Sequence, residues 1–215
     1  MIYEKFQHMN PIKLLNIKLI SFSLEMEKLI SLIKESIHLS SEAENHILSL
    51  GNEIEVKKGT SLISQGQFVR KTYFVLNGCL RSYCMDKKGK EHTLQFAIKN
   101  WWISDFIAIY TNELASLSVE AITNSKVIEF NAKDLSEIMT LFPEFESFQR
   151  ENLERHVVSL HKRILNQLQL SASERYDIFL SQYPDIEKHS PNYHIASYLG
   201  ITQQSLSRIR IEKVK

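Results

Sequence analysis

His194-Ile195-Ala196-Ser197-Tyr198-Leu199-Gly200-Ile201-Thr202-Gln203-Gln204-Ser205-Leu206-Ser207-Arg208-Ile209-Arg210 is the stretch on which the reading of this chain turns. Ile195, Ala196 and Leu199 fall on one face of a short helix. Gly200 is free to take a positive φ, and Thr202 is a good N-cap for a second helix. That second helix turns Leu206 and Ile209 inward and leaves Gln203, Gln204, Ser205, Ser207, Arg208 and Arg210 outward. Such a face suits base edges: Arg bridges guanine O6 and N7, Gln pairs with adenine, and Ser serves phosphates. A plain αα-hairpin closing a helical subdomain is the competing reading.

Upstream, residues 143–170 read as one long helix. Leu153, Val157, Leu160, Ile164 and Leu168 recur at spacings of four, three, four and four, close to a heptad seam. A core-facing amphipathic helix would show the same pattern. A neighbouring helix-turn-helix, which works on paired half-sites, favours a dimer helix. Ser171-Ala172-Ser173-Glu174 opens the next helix, with Ser171 or Ser173 as cap, Tyr176, Phe179 and Leu180 inward and Tyr183-Pro184-Asp185 as its stop.

Between Asn52 and Asn131 the period changes to two and turn signals multiply. Ile54–Val56, Tyr73–Leu76, Leu80–Met85, His92–Ile98, Leu117–Thr123 and Lys126–Phe130 are strand candidates. Asn77-Gly78 predicts a hairpin and Asp86-Lys87-Lys88-Gly89-Lys90 a polar turn. Helical patterns flank this region. Leu29, Ile30, Ile33 and Ile37 follow Met26; Ala43, Ile47, Leu48 and Leu50 precede Gly51; and Asn131 caps a helix with Leu135, Ile138 and Met139. The expected class is α+β: an N-terminal antiparallel β-roll (jelly roll) with flanking helices, a long dimerisation helix and a C-terminal helix-turn-helix. The expected divisions are an N-terminal extension at 1–25, a roll at 26–142, the dimer helix at 143–170 and the DNA-binding unit at 171–215.

The totals agree with a globular chain. Its 215 residues are 43% hydrophobic and 24% charged, with a formal net charge of +1. Basic character is local: from Thr202 onward Arg208, Arg210, Lys213 and Lys215 face only Glu212. Residues 12–24 are apolar but carry Lys13 and Lys18 and lack a small-residue cleavage pattern, which argues against a signal peptide. No membrane span is expected, and the reading is cytoplasmic. Two cysteines, Cys79 and Cys84, cannot supply four thiolates to an iron–sulfur cluster. His156 and His161 are five apart and share no helical face, so no metal site is expected. Trp101-Trp102 beside Phe106 and Tyr110 reads as filled core, as an apolar pocket, or as a surface for the long helix.

The order of roll, long helix and terminal helix-turn-helix resembles bacterial regulators of the Crp/Fnr family. Phe74-Val75-Leu76-Asn77-Gly78-Cys79-Leu80-Arg81 is similar to that family's first roll hairpin. Ala196–Thr202 and Ser207–Arg210 are similar to its reader. The resemblance implies base reading by Gln203, Gln204 and Arg208, with Ser205 and Ser207 at neighbouring sites suited to backbone contact. Thr202 belongs to the same expected DNA-binding set, and Arg210, Lys213 and Lys215 are expected to contact phosphates. Where the family has an Arg-Glu pair this chain has Gln203-Gln204, which shifts the expected base preference toward adenine. Double-stranded DNA bearing a palindromic site, a second copy of the chain and RNA polymerase are the implied partners.

The same resemblance places an effector pocket at Ser104, Asp105, Ala115, Ser116, Leu160 and His161. The family's cyclic-nucleotide binders carry a Gly-Glu pair and an Arg-Ser pair there; this chain has Ser104-Asp105 and Ala115-Ser116. Without the arginine, a buried phosphate has no cationic partner. Cyclic AMP is therefore not the expected ligand. No cofactor is identified, and an unknown small-molecule effector stays open. Haem would need an axial ligand from His92 or the cysteines. A metalloenzyme on a cupin-like roll would need two or three histidines, and the roll holds only His92, so no enzyme is expected. The other alternative is a small-molecule-binding or scaffold protein with a degenerate helix-turn-helix. Glu187–Tyr193 is too short for a wing hairpin, and little sequence follows the reader; weaker DNA anchoring is the expectation.

Overall fold

The computed structural model describes residues 26–214; the extension at 1–25 lies outside the described residues. Helix α1 (residues 26–36) and α2 (Ser41–Leu50) lead into the strands. Ser40 caps α2, its Oγ accepting from the Ala43 amide at 3.2 Å. Eight strands follow: β1 (Asn52–Val56), β2 (Ser61–Ile63), β3 (Lys71–Asn77), β4 (Leu80–Met85), β5 (Glu91–Ala97), β6 (Trp102–Ile103), β7 (Ser118–Ala121) and β8 (Ser125–Asn131). A short helix, α3 (Phe106–Thr111), interrupts them after β6. They form two antiparallel four-stranded sheets, ordered β1-β8-β3-β6 and β2-β7-β4-β5.

The period-two logic is plainest in β3 and β8. Tyr73, Val75 and Val127 point between the sheets with Leu80, Ile103 and Val119. Phe74, Leu76, Ile128 and Phe130 point the other way, onto α1 and α2. Both faces of β3 are buried, so Tyr73-Phe74-Val75-Leu76 is a continuous apolar run rather than an alternating one.

Asn77-Gly78 is not a hairpin. β3 pairs with β6 and β8, while β4 pairs with β5 and β7, so the dipeptide turns a corner from one sheet to the other. Gly78 sits at φ 89°, and a Cβ there would meet Ser125 Oγ and come within 2.8 Å of the Asn124 carbonyl. The left-handed conformation and the close backbone both require glycine. Asp86–Lys90 does close a hairpin, β4 to β5, with Asp86 Oδ1 accepting the Lys88 and Lys90 amides.

Helix α4 (Ala132–Leu141) is capped by Asn131, and α5 (Pro143–Gln169) starts with proline at its first position, where no N–H is needed. Its 27 residues extend about 40 Å. Only its first turns enter the core, through Phe145 and Phe148. Then come α6 (Ala172–Gln182), α7 (Ile186–His189), α8 (Asn192–Leu199) and α9 (Gln203–Val214). Of the two cap candidates for α6 it is Ser171 that serves, in a capping box with Glu174.

A third core joins the roll to these last helices. Phe96 of β5 meets the rings of Phe179, Tyr183 and Tyr198 at 5.8, 5.7 and 5.5 Å. The aromatic group around Trp101 therefore separates into three places. Trp101 packs on Tyr183, Trp102 on Phe74 and Phe130, and Phe106 on Tyr110 and His156.

Candidate nucleic-acid interface and effector corner

Helix α8 ends where Gly200 adopts φ 69°, ψ 32°, and the Ile201 amide closes back on the Ala196 carbonyl at 3.0 Å. Thr202 Oγ1 then accepts from the Ser205 amide at 3.1 Å, so the expected cap exists. Leu206 and Ile209 are buried in the third core together with Ile195, Ala196 and Leu199. Thr202, Gln203, Gln204, Ser207 and Arg208 are exposed, and Ser205 is half-buried beside its cap. Arg208 makes no hydrogen bond or ion pair among the described residues.

Two basic residues of α9 are engaged with neighbouring helices, and the first departs from the sequence reading. Arg210 is half-buried rather than outward. Its guanidinium binds Glu187 Oε1 at 2.6 Å, Asn192 Oδ1 at 2.6 Å and the Tyr176 hydroxyl at 3.1 Å. Lys213 is exposed and pairs with Asp177 at 2.7 Å. Both tie α9 back to the helices behind it. The cause is spacing: Arg210 follows buried Ile209 directly and lies four residues beyond buried Leu206, so it flanks the inward stripe.

The helix-turn-helix is seated on β5 through α8. Ser197 Oγ accepts the Thr93 amide at 2.8 Å and donates to the Glu91 carbonyl at 2.9 Å, filling the role of a strand neighbour. Arg163 of α5 donates to the carbonyls of Leu94, Thr93 and Tyr198, and its guanidinium lies 4.1 Å over the Tyr198 ring. Beneath α8, Arg81 is 1% exposed and bridges Glu91 at 2.7 Å and Glu120 at 2.5 Å. His194 is 4% exposed, with those carboxylates 3.8–3.9 Å away. Burial, then the Arg81 and Lys58 charges, lower its pKa to about 3. The ring is therefore neutral, and its contacts with the acids are not ion pairs. Arg81, Arg163, His194 and Ser197 carry no site signal in the sequence, because each acts on a partner far along the chain.

Ser104, Asp105, Ala115 and Ser116 do converge. Asp105 is fully buried and caps α3, Oδ1 accepting the Ala108 amide at 3.1 Å. Oδ2 accepts the Ser116 amide at 2.7 Å, the Ser116 hydroxyl at 3.0 Å and the Leu117 amide at 2.8 Å. Ser104 Oγ donates to the Lys71 carbonyl at 2.8 Å. Ala115 is buried, its amide and carbonyl bonded to Gln67 and Gly66. The donors of this corner thus already hold an anion, the chain's own carboxylate. From α5 the ring that meets the corner is His156, against Phe106 at 6.2 Å. Leu160 is half-buried, and His161 is exposed with its ring on the Val157 carbonyl.

The proposed seam of α5 is open. Leu153, Val157, Ile164 and Leu168 are all exposed, Ile164 at 57% and Leu168 at 77%.

Comparison with known proteins agrees with this architecture. Residues 53–141 match the cyclic nucleotide-binding domain family. FixK2 from Bradyrhizobium japonicum superposes with a TM-score of 0.67 at 18% identity, over 76% of this chain and 84% of that one. A protein from Eubacterium rectale described as a transcriptional regulator of the crp/fnr family gives 0.66 at 20% identity, over 82% and 84%. The c-di-GMP-responsive global regulator CLP of Xanthomonas campestris gives 0.62 at 12%, over 81% and 91%. No curated protein sequence matches. The chain has the fold of the Crp/Fnr-type transcription regulators among these structures. Among the described residues no helix is long and apolar enough to cross a membrane.

Proposed function

We propose that this chain is a homodimeric, DNA-binding transcription regulator whose roll does not take cyclic AMP. One observation carries the reading. The polar face of α9 (Gln203, Gln204, Ser207 and Arg208) is exposed and, among the described residues, unpaired in side-chain bonding, while Leu206 and Ile209 fix the helix from behind. A helix held this way can enter a major groove. The open α5 seam supports pairing of two chains, which would set two α9 helices against successive half-sites. Such a regulator would work in the cytoplasm, beside RNA polymerase, and the reading assigns it no catalytic step.

The effector corner supports the second half of the proposal. A cyclic phosphate would have to displace Asp105 from the Ser116 and Leu117 donors, and position 115 offers alanine in place of a cation. Moving a phosphate there leaves two anions competing for one set of donors.

The experiment is duplex binding by the purified full chain at two salt concentrations, with sedimentation to give the assembly. The proposal expects a dimer whose log affinity falls steeply with log salt, and no effect of added cyclic AMP. A monomer indifferent to duplex DNA at low salt would favour a scaffold with a degenerate reader.

A further inference from the structure

The groove between α5 and the helices α6 and α8 has a volume of about 360 Å³, within the range that holds small molecules. It lies on a different face of α5 from the Leu153–Leu168 seam. Arg155, Lys162 and Arg163 line it from α5 and Arg175 from α6, over an apolar floor that includes Val158 and Ile178. No carboxylate lines it among the described residues.

Among the described residues none of these four cations makes an ion pair. Arg163 is spent on three main-chain carbonyls. Arg175 donates to the carbonyls of Leu170 and Leu199, at 2.6 and 3.3 Å, and its buried Nε has no acceptor among the described residues. Among the described residues Arg155 reaches only the Asn152 amide oxygen, at 2.9 Å. Lys162 is exposed and forms no ion pair among the described residues. Four cations around an apolar floor repel one another, and a bound anion would relieve that repulsion. A buried guanidinium N–H without an acceptor costs free energy until it finds one.

We infer that this groove is a binding site for a small anionic molecule with a flat apolar body, a carboxylate, sulfonate or phosphate on an aromatic frame. The anion sits among Lys162, Arg155 and Arg175, and the body lies on Val158 and Ile178. Because one wall is the long helix and the other carries the reader, the bound molecule ties α9 to α5. The site is separate from the Asp105 corner and does not depend on whether α9 reads DNA.

The test uses the full chain without DNA and two fluorescent probes of similar frame. They are 1-anilinonaphthalene-8-sulfonate and its neutral counterpart N-phenyl-1-naphthylamine. The sulfonate is expected to bind saturably, one per chain, and the neutral probe at least about ten-fold more weakly. Lys162→Glu removes the anion's partner, and Ser159→Trp fills the groove at an exposed position. Each is expected to weaken the sulfonate by about ten-fold while leaving the thermal midpoint in place. Three results overturn the inference: no saturable binding, comparable binding of the neutral probe, or a change below about three-fold in either variant. Loss of DNA binding leaves it standing, since no arm contains DNA.

Discussion

Asp105 and Ser116 form a closed anion seat: the carboxylate takes the Ser116 amide at 2.7 Å and its hydroxyl at 3.0 Å. Removing the acid strands these donors and the Leu117 and Ala108 amides in a buried corner. Asp105→Ala is therefore expected to lose about 2–4 kcal/mol of stability, and Asp105→Asn, which keeps an acceptor, about half as much. Urea denaturation followed by tryptophan fluorescence measures both. A loss under about 1 kcal/mol for the alanine variant would mean that the seat is not holding the corner together.

His194 makes the docking of α8 sensitive to acid. Its folded pKa lies near 3, lowered by burial and then by Arg81 and Lys58, whereas the unfolded ring titrates near 6.5. Between those values the unfolded chain binds more protons, so stability falls as pH drops below about 6.5 and is unaffected by this group above pH 7. From pH 7 to pH 5 the wild type should lose about 1–2 kcal/mol more than His194→Phe, which cannot titrate. Equal losses in the two proteins would show that the ring is protonated where it sits.

Arg210 and Arg208 should separate cleanly. Arg210 holds Glu187, Asn192 and Tyr176 together, so Arg210→Ala should cost about 1–2 kcal/mol of stability. Arg208→Ala touches no such network and should stay within about 0.5 kcal/mol of wild type. Thermal denaturation of the two variants, side by side, checks the contrast. The reverse ranking would mean that the two side chains exchange roles in solution.

The α5 seam predicts assembly. Ile164→Asp places a charge at a residue that is 57% exposed in the single chain but would be buried between two. The variant should keep its helical circular dichroism while its dimer dissociates at least about a hundred-fold more readily, read by sedimentation equilibrium. An unchanged dimer would move the interface off this stripe.

Much of this was legible because helices announce their faces. Leu206 and Ile209 against Gln203, Gln204 and Arg208, the Ser171–Glu174 capping box and the span of α5 all follow from spacing at 3.6 residues and from cap chemistry. β2 and β6, three and two residues long, are too short to carry a period. The Asn77-Gly78 signal marks a tight turn but cannot say whether the strands it joins pair with each other; here a corner is needed because β3 and β4 belong to different sheets. The seating of the reader was invisible for another reason. Ser197 bonds to Glu91, 106 residues away, and nothing local in either residue names the other. At Asp105 the position could be inferred by resemblance, but not that the chain spends the donors of that corner on itself.

The central claim is that the outward face of α9, centred on Arg208, sits against base edges. Selection of bound duplexes from a random-sequence pool, run in parallel with wild type and Arg208→Ala, tests it most directly. The account predicts a two-fold-symmetric consensus with half-sites about ten base pairs apart, and loss of preference at one position per half-site in the variant. Recovery of no consensus, or of the same consensus at the same affinity by both proteins, would contradict it.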